Sequence, residues 1–184
     1  TPAKLSELTH VRRSQRHDGG MKAVVVYESL WGNTAKVAHA IAAGLGPEVR
    51  ALPTDEATGD AIAGADLIVA GGPVFAFHLS SERTRESIRR NPGTTRAPDL
   101  SHQSLRSWME ALPAGQGRCA GFDTEVRGPF GKGAPTIVDA LEAKGYARLA
   151  EPLGFIVTDK EGPLKEGELE RARAWGAELL RLMG

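Results

Sequence analysis

The sequence predicts an α/β fold: a three-layer, doubly wound parallel five-stranded sheet with helices on both faces. Two observations carry that prediction. From Met21 onward, short apolar runs alternate with segments of helical periodicity, the pattern of successive βαβ units. The strongest runs, Ala23 to Tyr27 and Asp66 to Gly71, are apolar without alternation, as strands buried on both faces are.

The elements follow in order. Ala23 to Tyr27 reads as a buried strand, and Ala35 to Leu45 as a helix with apolar residues at helical spacing. Val49 to Leu52 is a short strand, and Asp66 to Gly71 a longer one ending in glycines. Ser80 to Arg90 forms a polar, arginine-rich helix, followed by a turn-rich stretch from Asn91 to Asp99. Leu105 to Leu112 is helical and closed by Pro113; Arg118 to Phe122 is a strand. Thr136 to Lys144 is a helix that stops at Gly145. Ala147 to Val157 is extended but carries Pro152, which fits an edge strand or a bend. Glu166 to Leu182 is a long amphipathic helix. The pattern predicts two regions: a weakly ordered extension over residues 1–20 and one domain over residues 21–184. The extension carries Lys4, Arg12, Arg13 and Arg16, and reads as a solvated tail or a basic docking arm.

Charge and composition exclude several classes. Lys plus Arg number 23 and Asp plus Glu 23, so no global field favours nucleic acid or an anionic membrane. No apolar stretch approaches the roughly 20 residues of a membrane span. Cys119 is the single cysteine, which excludes an internal disulfide and a thiolate-rich metal site; it reads as a small buried side chain. These features predict a cytoplasmic protein. No nucleophile, titratable triad or metal-ligand cluster emerges, so no catalytic residue is assigned. His39 and His78 read as ordinary polar surface.

In doubly wound sheets ligands bind beyond the carboxyl ends of the strands, so the segments after each strand matter most. After the first comes Ser29-Leu30-Trp31-Gly32-Asn33-Thr34, opening a helix. A helix start presents unpaired N–H groups and a positive dipole end, which favour an anion. The loop has no G-x-x-x-x-G-K-[ST] and no G-x-G-x-x-G, so both common nucleotide fingerprints are absent. The alternative is that Asn33 or Thr34 merely caps the helix.

"YESLWGNT" after an apolar strand resembles the phosphate loop of the flavodoxin family, Ser/Thr-x-Thr/Ser-Gly-Asn-Thr. "GPLKEGELERARAWGAELL" resembles the last helix of flavodoxin-domain proteins from high-GC bacteria. The resemblance implies strand order 2-1-3-4-5 and an FMN cofactor whose monophosphate is held by backbone amides and hydroxyls, without a basic side chain. Ser29, Gly32, Asn33 and Thr34 match; Trp31 departs, standing where a hydroxyl is common. It reads as a local replacement for the lost contact or as an aromatic lip where a partner docks. The stretch Gly71 to Phe77 resembles the family's second loop, with Pro73, Val74 and Phe75 as the wall beside the isoalloxazine. Phe122 to Gly128 and Phe130 to Ala134 stand at the third loop, where Asp123, Thr124, Glu125, Gly131 and Lys132 would bracket the flavin edge. That loop lacks the family's stacking tyrosine; Phe130 or Val126 would replace it.

The resemblance implies electron transfer between transient redox partner proteins. One alternative is an FMN-dependent NAD(P)H:quinone-type reductase whose nicotinamide or quinone substrate stacks on the flavin. Another is a flavodoxin-fold binding module that has lost flavin. Carriers of the family are usually acidic, whereas this chain is neutral and carries Arg83, Arg85, Arg89, Arg90 and Arg96, either a surface for an acidic partner or a solvated face.

Overall fold

The computed structural model describes residues 20–75, 78–128 and 132–184; the extension before residue 20 lies outside them. The elements are β1 (Ala23–Tyr27), α1 (Asn33–Leu45), β2 (Arg50–Pro53), β3 (Leu67–Phe75), β4 (His78–Leu79), α2 (Glu82–Arg90), α3 (Leu105–Ala111), β5 (Arg118–Val126), α4 (Ala134–Ala143), β6 (Ala147–Arg148), β7 (Leu153–Val157) and α5 (Glu168–Met183).

The main sheet runs β2-β1-β3-β5-β6, all neighbours parallel, and β7 pairs in parallel with β5 beyond β6. Together β6 and β7 form one edge strand, interrupted over residues 149–152 where Pro152 sits, so the predicted order 2-1-3-4-5 is observed. The two-residue β4 adds antiparallel to the end of β3. The apolar runs have a direct cause: β1 and β3 bury both faces. Val24 and Val26 of β1 and Ile68 and Ala70 of β3 join the core under α3 and α4. Val25, Leu67 and Val69 join the core under α1 and α5. Gly71 is required for packing, because a Cβ there would lie 2.1 Å from the Phe122 ring.

Two strands run further than their sequences predict. β3 continues through Gly72 and Pro73 to Phe75, so the expected second loop is strand. β1 stops at Tyr27, opposite Gly71; beyond it β3 has lost that neighbour, which lets a proline enter the strand. β5 continues past Phe122 to Val126, pairing with β7 over its last five residues. Cys119 is buried, and burial pushes its thiol up to about 11, leaving it an inert core side chain. Among the described residues, no helix is long and apolar enough to cross a membrane.

Candidate functional site

The first loop sits where β1 hands over to α1, with β2 on one side of β1 and β3 on the other, at the switch point of the sheet. Gly32 ends the loop with φ 93°, a left-handed conformation that suits glycine. Its N–H donates to Ser29 Oγ at 3.1 Å, and the first helical bond runs from Lys36 N to Gly32 O. Among the described residues no side chain caps α1. The amides of Asn33, Thr34 and Ala35 therefore have no acceptor among the described residues. The simple capping alternative is corrected: Asn33 Nδ2 donates to Glu161 O at 2.9 Å, and Thr34 Oγ1 pairs with Thr124 Oγ1 at 2.7 Å.

A cavity of about 70 Å³ opens at this helix start. Ser29, Leu30, Trp31, Asn33 and Thr34 line it from the loop and helix; Pro73, Val74 and Phe75 line it from the end of β3. Thr124 and Val126 close it from β5, and Val157 and Lys160 from the far end of the chain. Gly32 instead lines a cleft of about 440 Å³ on the loop's other side, which also contains Asp99 and His102. Gly131, Phe130 and Phe77 lie outside the described residues, and Lys132 is exposed away from the cavity lining.

Asp123 and Glu125 need a correction. Because β5 runs on to Val126, period-2 alternation sends Phe122, Thr124 and Val126 to the α1 side, and Asp123 and Glu125 to the α4 side. Asp123 is fully buried; its Oδ2 accepts from Gly133 N and Ala134 N, both at 2.7 Å, at the start of α4. Its Oδ1 has no partner among the described residues, and both carboxylates border the empty Cβ position of Gly154. Burial, aided by the Glu125 charge, raises the Asp123 carboxyl from 3.8 to about 6, against the pull of the α4 amides. The folded protein therefore holds this proton more tightly than the unfolded chain. Its contribution to stability is complete below about pH 4 and lost as pH rises through about 6. Asp123→Asn keeps an acceptor for the α4 amides and removes the charge. Relative to the parent it should gain about 2–3 kcal/mol between pH 4 and 7, read from urea denaturation across that range. Parallel stability curves would show that Asp123 stays ionised throughout.

Three features were missed by sequence reasoning. Glu28, immediately before the loop, is 1% exposed and accepts from Arg85 Nη1 at 2.6 Å, Ser80 Oγ at 2.5 Å and Leu105 N at 2.8 Å. Arg85 Nη2 also donates to the carbonyls of Leu100 and His102. Arg85 thus belongs to neither a docking surface nor a solvated face, whereas Arg83, Arg89 and Arg90 are exposed, the last two paired with Glu86. The second feature is His102, buried, whose Nε2 accepts from Ser29 N at 3.4 Å. The third is a latch over Trp31. Trp31 Nε1 donates to Arg96 O at 3.2 Å, and Arg96 Nη2 donates to Trp31 O at 3.2 Å and Glu161 O at 2.8 Å. Trp31 is only 9% exposed and meets Phe75 edge-on at 6.2 Å, so the exposed-lip expectation is corrected.

No family model matches the chain, and none of the curated proteins compared matches its sequence. Solved structures match over nearly the whole domain. A flavodoxin from the domain Archaea superposes with TM-score 0.62 at 18% identity, covering 89% of this chain and 99% of its own. Flavodoxin 2 from Bacillus cereus gives 0.60 at 17%, covering 87% and 98%. A WrbA-like flavodoxin from Agrobacterium tumefaciens gives 0.58 at 20%, covering 89% and 97%. At such identities the likeness is one of fold, and it agrees with the observed strand order: the chain has a flavodoxin-like fold.

Proposed function

We propose that the chain binds FMN by its phosphate at the start of α1 and carries electrons between redox partner proteins. The observation that carries this reading is the uncapped start of α1, at the switch point of the sheet, facing a hollow with the hydroxyls of Ser29, Thr34 and Thr124. The donor set fits a phosphate: the residues lining the hollow bring two free amides, those of Asn33 and Thr34, three hydroxyls and, among the described residues, no carboxylate. Its volume of about 70 Å³ suits a phosphate-sized anion, so these residues are assigned to that end of the cofactor. Bound FMN would supply the redox chemistry, coupling two-electron and one-electron steps. The chain's part is to orient it: α1 fixes the phosphate, and Phe75, held edge-on by Trp31, presents an apolar ring at the mouth. The likeness to proteins named flavodoxins supports the same reading.

A second reading, an FMN-dependent NAD(P)H:quinone-type reductase, is favoured by the charge balance. Steering toward an oppositely charged protein needs a net field, and this chain carries 23 basic and 23 acidic residues. The visible spectrum and extracted cofactor of the untagged protein test both readings. The expected result is a yellow protein that releases FMN, or a colourless one that takes up added FMN. A protein that does neither overturns both. Rapid NAD(P)H oxidation by the protein alone selects the reductase; reduction only through a partner reductase selects the carrier.

A further inference from the structure

The first loop contains no lysine, yet the fold brings one to it. Lys160, in the segment between β7 and α5, lines the cavity with Val157, and among the described residues it is the one charged side chain that does. We infer that Lys160 is the charge partner of the anion at the start of α1, and that it makes this site select a phosphorylated ligand over its dephosphorylated form.

The geometry supports this in three steps. Lys160 is held in place by its own segment: its N–H donates to Asp159 Oδ1 at 2.7 Å, and Gly162 N closes the turn onto Asp159 O at 2.8 Å. The segment is then tied to the loop it serves, because Asn33, the first residue of α1, donates to Glu161 O. Across from it, Arg96 bridges Glu161 O and Trp31 O, while the Glu161 carboxylate accepts from the amides of Thr95 and Arg96. The ammonium itself has spare donors. Nζ lies 5.4 Å from the centre of the Trp31 ring and donates to Pro92 O at 2.5 Å, which uses one of its three N–H groups. A cation resting on an aromatic face and one carbonyl, beside a cavity free of acidic lining, has no ion-pair partner there among the described residues. A phosphate at the helix start would supply it, at one end of the latch formed by residues 91–96 and 158–162. Trp31 gains a reason as well: it is the platform that keeps the ammonium beside the cavity.

This assignment rests on the FMN reading only for the identity of the anion, so two probes separate the two. The first is inorganic phosphate, followed by amide shifts of Ser29 to Ala35 in NMR titrations of the parent, Lys160→Met and Lys160→Arg. The second is a comparison of FMN with riboflavin on the same three proteins. Lys160→Met is expected to weaken phosphate and FMN binding about tenfold or more, in line with loss of a charged hydrogen bond. Riboflavin affinity should be unchanged, the salt dependence of FMN binding should flatten, and Lys160→Arg should retain most of the affinity. If phosphate binds with this Lys160 dependence but neither flavin binds, Lys160 stands and the FMN reading falls. If FMN binds equally well to the parent and Lys160→Met, the FMN reading stands and the Lys160 assignment is overturned. Parent protein whose loop amides do not respond to phosphate overturns it too.

Discussion

Arg85→Met is expected to cost about 3–5 kcal/mol of folding stability, because it leaves the Glu28 carboxylate buried and without its cation. Both members of the pair are buried, at 1% and 2% exposure, so water cannot replace the lost partner. The substitution also orphans the carbonyls of Leu100 and His102, which accept from Arg85 Nη2. Against a total stability of about 5–15 kcal/mol for a domain, this is a large fraction. Chemical denaturation of Arg85→Met, Glu28→Gln and the double variant measures it. The double variant should recover part of the loss, since a neutral amide at position 28 no longer needs a cation while Ser80 and Leu105 still have an acceptor. A loss below about 1 kcal/mol for Arg85→Met would mean the pair is solvated and flexible. The consequence for the site is direct. Arg85 pins the linker of residues 91–104, and that linker carries Arg96 over Trp31 and His102 against Ser29. Phosphate affinity should therefore fall in Glu28→Gln even where the protein remains folded.

The layers of the fold were legible because β1 and β3 bury both faces and so lack alternation, while α1 and α5 show helical spacing. The ends of β3 and β5 were not legible, for a physical reason. Where a neighbouring strand stops is a property of the sheet, and only that makes Pro73 acceptable in β3. The missing four residues of β5 mattered more. With the strand ending at Phe122, Asp123 and Glu125 read as loop residues free to face a cofactor. With it ending at Val126, strand parity turns them to α4 and leaves Thr124 facing Thr34. In the site, the Ser29–Thr34 loop was legible as a local motif. Lys160 and the Glu28–Arg85 pair were not, because their partners lie far along the chain and charge alone does not say which arginine is buried. A glutamate directly after an unalternating buried strand was the one available signal for Glu28, since such a carboxylate requires a partner.

Gly176→Ala should cost about 2 kcal/mol or more, although alanine is the better helix former by about 1 kcal/mol. The reason lies where α5 crosses α1. A Cβ on Gly176 would sit 2.2 Å from Ile41 O, and one on Gly44 would sit 2.0 Å from Arg173 O. Both obstacles are backbone atoms, so no side chain can swing aside and the two helices must separate. Separation would open the packing of Ile41, Phe155 and Leu179, which forms the core on this face of the sheet. Exposed Ala174, two residues before Gly176 and on the other face of α5, supplies the control: Ala174→Gly reports the propensity difference without the contact, and the Gly176→Ala loss should exceed it in size with no gain from propensity visible. The effect should reach the site, because α1 is the element whose first amides face the cavity. A shift of its axis moves the amides of Asn33 and Thr34 against the hydroxyl of Thr124, which β5 holds in place. Gly176→Ala is thus expected to weaken phosphate binding as well as stability, whereas Ala174→Gly should lower stability alone. Equal melting temperatures for Gly176→Ala and the parent would show that α1 and α5 do not meet backbone to backbone.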